Sequence, residues 1–108
     1  MYGSSVDMRK GIKSLYFIVN QSEELKATSG DVFVFVSNNR KSIKLLRWHN
    51  EGFVLYHKRL EVGVYNISYR LLPDSFVELS SESIDRIVSK IQHRSYNNEL
   101  RHYAMLNV

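Results

Sequence analysis

The chain has 108 residues, 44% hydrophobic and 12% aromatic, which is enough for one packed domain and too apolar for wholesale disorder. It has no cysteine, which excludes a disulfide scaffold, a thiolate zinc site, an iron–sulfur cluster and a cysteine nucleophile. Fifteen Lys and Arg against eleven Asp and Glu give a net charge of +4, which leaves an anionic partner open without demanding one.

Asp7 suits a helix N-cap, because its carboxylate can accept from the free amides of a first turn. Met8, Ile12, Leu15 and Val19 then recur at helical spacing, so an amphipathic helix is predicted from Asp7 to about Asn20. Thr28-Ser29-Gly30-Asp31 is a turn signal. Val32 to Val36 is β-branched and aromatic without alternation, the pattern of a strand buried on both faces. Ile43–His49 and Phe53–Arg59 read as a hairpin closed by Asn50-Glu51-Gly52, a three-residue loop with a left-handed Gly. That register sets Trp48 against Val54 and Leu46 against Tyr56, with these four facing the core. Arg47, His49, His57 and Arg59 then lie on the open side. Residues 64–72 read as a fourth strand and Phe76–Leu79 as a short fifth. Ser80 or Ser81 caps a second helix, whose apolar stripe is Ile84, Ile87, Val88 and Ile91.

The expected fold is α+β. An antiparallel β-meander of three to five strands carries the N-terminal and C-terminal amphipathic helices, both packed on one face. Residues 1–92 make a single domain, and 93–108 a tail or short docking helix. No apolar run nears the ~18 residues of a membrane span, and no leader-type cleavage site follows the first basic residues. The expectation is a soluble, cytoplasmic protein with no membrane partner.

Catalytic signatures are absent from the sequence. The glycines never reach a phosphate-cradling spacing, and there is no Gly-x-Ser-x-Gly elbow. His49, His57, His93 and His102 form no helix pair, and two histidines without a third ligand make a poor zinc site. The aspartates all have cap or turn explanations. No metal, cofactor or catalytic residue is expected.

One constellation stands out. Between residues 40 and 59 lie Arg40, Lys41, Lys44, Arg47, Lys58 and Arg59 against the single acid Glu51, while the rest of the chain is close to neutral. Cations interleaved with Trp48, Tyr56 and two histidines are what a phosphate-contacting, base-stacking surface uses. The plain alternative is a solvated strand face with the aromatics in the core.

Two stretches carry a resemblance. The first is Val6-Asp7-Met8-Arg9-Lys10-Gly11-Ile12 with Leu15. The second runs from Gly30-Asp31-Val32-Phe33-Val34-Phe35 through Asn39-Arg40-Lys41 and Ile43-Lys44-Leu45-Leu46-Arg47-Trp48 to Lys58-Arg59-Leu60-Glu61-Val62-Gly63. In order and spacing they resemble the TnpB (Orf-two-like) accessory proteins of the insertion-sequence-sixty-six transposon family, over about residues 6 to 92. The family usually has Asp after the Trp, where this chain has His49. It also usually has a further segment ahead of Asp7, so the start is expected to be short or divergent.

The resemblance implies a non-catalytic accessory protein of bacterial transposition. Its implied partners are DNA at the element ends and the large transposase of the same element. Phosphate contacts would then come from Arg40, Lys41, Lys44, Arg47, Lys58 and Arg59, with Arg9 and Lys10 adding to them. The rival expectation is a module that docks on the transposase and never touches DNA, using Lys58-Arg59-Leu60-Glu61 as an interface strip.

Overall fold

A computed structural model describes residues 11–67, 71–72, 75–85 and 101–106. Helix α1 spans Ile12–Asn20. Gly11 precedes it in extended conformation (φ −86°, ψ −175°), so this helix starts at Ile12 and not at Asp7. The Asp7 cap and Met8 lie outside the described residues. Leu15 and Val19 are fully buried, as their spacing requires, while Phe17 on the outer side is 63% exposed. The Asn20 side-chain oxygen accepts from the Ala27 amide at 2.9 Å, closing the loop that follows. A single 3₁₀ turn, Ala27–Ser29, ends at Gly30, whose φ of +91° leads the chain into the first strand.

Strand β1 is Val32–Val36, β2 is Ser42–His49, β3 is Gly52–Arg59, β4 is Val77–Glu78 and β5 is His102–Leu106. They form one mixed sheet in the order β3-β2-β1-β5-β4. Every residue of β1 is buried, because the strand is central and covered on both faces. On one face Phe33, Phe35, Leu46 and Met105 pack with Leu15, Val19 and Ala27. On the other, Val32, Val34, Val36, Ile43, Leu45 and Ala104 pack with Tyr65, Leu71, Leu79 and Ile84.

Several expectations are corrected here. The sheet is not a purely antiparallel meander, since β1 and β5 run parallel, from Val32 opposite His102 to Val36 opposite Leu106. Residues 102–106 are therefore a strand, where the sequence reads as tail or docking helix. The helices do not share a face. Residues 81–85 are helical, and Ile84 packs on the face opposite to α1. Ser80 does cap that helix, its hydroxyl accepting from the Ser83 amide at 3.2 Å. Ile87, Val88 and Ile91 lie outside the described residues. The expected strand over 64–72 is absent at residues 64–67, and residues 68–70 are not described.

The hairpin register is one residue off the expected one. His49 pairs with Gly52, so the loop is Asn50-Glu51 alone. Both have positive φ, 49° and 64°, the signature of a type I′ turn that matches strand twist. A one-residue shift flips one strand of the pair. Trp48 faces Phe53, Leu46 faces Leu55 and Leu45 faces Tyr56. Leu46 and Trp48 thus share the α1 face with Phe53, Leu55, His57 and Arg59. Val54 and Tyr56 lie on the opposite face with Arg47 and His49.

Candidate nucleic-acid interface

The β1–β2 connection is built by short polar side chains. The Ser37 amide donates to the Ser42 carbonyl at 2.9 Å, and the Arg40 amide to the Ser37 carbonyl at 2.9 Å. The Ser37 hydroxyl accepts from the Ser42 amide at 3.0 Å and donates to Asn39 Oδ1 at 2.8 Å. Asn39 Oδ1 also accepts from the Lys41 amide at 3.0 Å. Arg40 completes the turn in the left-handed region at φ 59°, a strained position for a residue with a Cβ. The exit of β3 is tied to the same turn. The Leu60 amide donates to the Lys41 carbonyl at 2.7 Å and the Tyr65 amide to the Arg40 carbonyl at 2.8 Å.

These ties gather four of the predicted cations. Arg59 pairs with Ser42 and Lys58 with Ile43, so both sit beside Arg40 and Lys41 at one end of the sheet. Arg59 is exposed, and its Nε lies 3.9 Å from the carboxylate of Glu61, which is more exposed still. Such a pair is screened by solvent and leaves the guanidinium available. Arg40 is half-buried, with one terminal nitrogen inside and no hydrogen-bond partner for it among the described residues. Below it Tyr65 is 1% exposed, and its hydroxyl pKa is pushed up to about 12 by burial and by Tyr56.

The other predicted cations do not join this cluster. Lys44 is only 3% exposed, on the α1 face between Phe35 and His57, so it is an interior residue. Arg47 is half-buried on the opposite face, four residues along β2 from Ile43, which is about 14 Å away. Its Nη2 lies 3.5 Å from His49 Nδ1. Arg9 and Lys10 lie outside the described residues. The basic window of the sequence is therefore a four-cation end with Arg47 apart near the hairpin tip.

Trp48 is half-buried and does not carry the core as expected. It meets Phe53 edge-on, centroids 5.0 Å apart at 71°. Phe53 in turn stacks on Tyr16 of α1 at 5.2 Å and 7°. Sequence reasoning missed this relay because it depends on the one-residue register. Trp48 is thus linked to α1 through Phe53.

His57 titrates below its ordinary value of 6.5, first because burial disfavours the imidazolium and then because of the Lys44 charge. Its folded pKa lies under its unfolded one, so the unfolded chain binds more protons as pH falls through about 6.5. The His57 contribution to stability is therefore present at neutral pH and lost on acidification. An NMR titration should place the His57 midpoint below 6.5. Lys44→Met should raise it toward that value, and an unmoved midpoint would show that Lys44 does not act on it.

No group of three or more His, Asp or Glu suited to a metal occurs among the described residues. No helix among them is long and apolar enough to cross a membrane. A cavity of about 560 Å³ opens between the end of α1 and β5, bordered by Phe17, Leu25, Phe76 and Tyr103. Its charged walls are Glu24 and Glu78, so it is separate in character from the basic end.

No curated protein and no solved structure matches the chain. The family model for IS66 Orf2 like protein does match, over residues 1–98, and the chain belongs to that family.

Proposed function

We propose that this protein is a non-catalytic accessory factor of insertion-sequence transposition that contacts DNA at the element ends. Family membership supports the setting. The observation that carries the DNA reading is the gathering of Arg40, Lys41, Lys58 and Arg59 at one end of the sheet by the β2–β3 register and the two backbone ties. Four cations on a rigid end contact successive phosphates without reading base edges, so they position DNA more than they select sequence. The large transposase of the same element is the protein that performs the chemistry.

A salt titration on duplexes carrying the element ends tests this. Four neutralised phosphates give a log–log slope of about −3.6, so affinity falls roughly 150-fold between 50 and 200 mM salt. Lys41→Ala with Arg59→Ala should flatten the slope by about 1.8, while Arg47→Ala should leave it nearly unchanged. Absence of binding at ~50 mM salt would reject DNA contact in favour of docking on the transposase.

A further inference from the structure

β3 is the outermost strand of the sheet. It runs eight residues, against the usual ~5–6. It holds no proline, and its pairing with β2 continues from Gly52 to Arg59 without a bulge. Proline, bulges and short length are three of the devices that blunt a sheet edge, and this edge has none of the three; its charged side chains, Lys58 and Arg59, are confined to one end.

The hairpin geometry says which backbone groups face outward. The closing pair of a two-residue loop, His49–Gly52, exchanges both hydrogen bonds, and bonded pairs alternate from there. Gly52, Val54, Tyr56 and Lys58 therefore bond to β2. Phe53, Leu55, His57 and Arg59 turn their amides and carbonyls away from it. Among the described residues no other element meets those groups. Val54 is 47% exposed beside them.

We propose that β3 pairs antiparallel with β3 of a second copy of this chain, about a two-fold axis through Leu55. The two sheets then continue as one. Symmetry and charge select this occupant and this register. Around that axis Leu55 meets itself, Val54 meets Tyr56, Phe53 meets His57, Gly52 meets Lys58 and Glu51 meets Arg59. Outward-bonding residues meet only outward-bonding residues, as a ladder requires. The centre is apolar, and each end is closed by an opposite-charge pair. No cation faces a cation. Moving the axis to Tyr56 sets Glu51 against Glu61 and Arg59 against Phe53, which loses the complementarity.

Sedimentation equilibrium of the full, nuclease-treated chain should show a dimer at concentrations up to ~100 μM. Glu51→Lys and Arg59→Glu each reverse two symmetry-related pairs and should weaken association about tenfold. Both side chains are exposed, so neither substitution disturbs the fold. The double variant E51K/R59E should restore the dimer. The chain has no cysteine of its own, so Leu55→Cys gives an independent readout. At the axis its Cα atoms lie ~5.5 Å apart, within disulfide range, and mild oxidation should cross-link it. Val62→Cys, on the 87% exposed loop beyond β3, should not cross-link. A monomer at ~100 μM would overturn the proposal. So would a double variant as weak as the singles, or a Leu55→Cys chain that cross-links no faster than Val62→Cys.

Discussion

Phe33→Ala is expected to leave the protein largely unfolded at 37 °C. Phe33 is fully buried on the central strand, between Leu46 of β2 and Tyr103 of β5. Its ring stacks on Tyr103 at 5.9 Å and meets Phe76 edge-on at 5.7 Å. Three elements distant in sequence converge on that one side chain. Neighbouring strands are fixed by their ladders and cannot collapse into the space left behind, so the cavity cost adds to the lost transfer energy. A Phe→Ala change at such a site costs about 3–5 kcal/mol, comparable with the whole stability of a small domain. The melting temperature should fall by about 15 °C or more, followed by circular dichroism. A variant that melts within ~5 °C of the parent would mean that the aromatic cluster is not the keystone of that face.

Ending the chain after residue 100 should abolish cooperative unfolding altogether. β5 is an interior strand, paired with β1 along five residues and with β4 along two. Its removal strips one edge of β1 and takes away the buried His102, Ala104 and Met105. It also removes the anchors at the strand entrance, where Arg101 Nε lies 3.5 Å from Asp31 and the Arg101 carbonyl accepts from the Val32 amide at 2.9 Å. β4 loses its only partner among the described residues, and the Leu79 amide loses the His102 carbonyl at 2.8 Å. A loose tail would behave differently: its deletion would change stability by no more than about 0.5 kcal/mol. A truncated chain with a sharp melt and dispersed amide resonances would show that β5 is dispensable.

The contrast between tail and strand shows what the sequence carries and what it withholds. Val32-Phe33-Val34-Phe35-Val36 is legible because a strand covered on both faces has no polar residue to place. The β2–β3 pair is legible from its length and composition. Its register is not, because Gly52 attracts the left-handed position that Asn50 and Glu51 in fact share. His102-Tyr103-Ala104-Met105-Leu106 gives no local signal, since its pairing partners are β1 and β4 and neither is a sequence neighbour. Nearby Leu100, Tyr103 and Leu106 even imitate a helical spacing.

The candidate site divides in the same way. The concentration of cations between residues 40 and 59 is plain in the sequence. That Lys44 turns inward and Arg47 stands apart is decided by strand pairing, which a charge count does not see. Trp48 is the instructive case. Its burial is partial because it caps the edge of a Phe53–Tyr16 stack, and that stack exists only in the observed register.

The parallel β1–β5 pairing also dictates an order of assembly. β1, β2 and β3 are joined by short turns and can zip together within microseconds to milliseconds. β5 must close a loop of about 70 residues before its first hydrogen bond forms, so it arrives late. Until then the apolar edge of Val32–Val36 stands open to any extended segment, its own or a neighbour's. The kinetic hazard of this fold is therefore concentrated in one five-residue strand. High concentration during refolding speeds intermolecular encounter without speeding β5 docking, and should convert yield into aggregate through that strand.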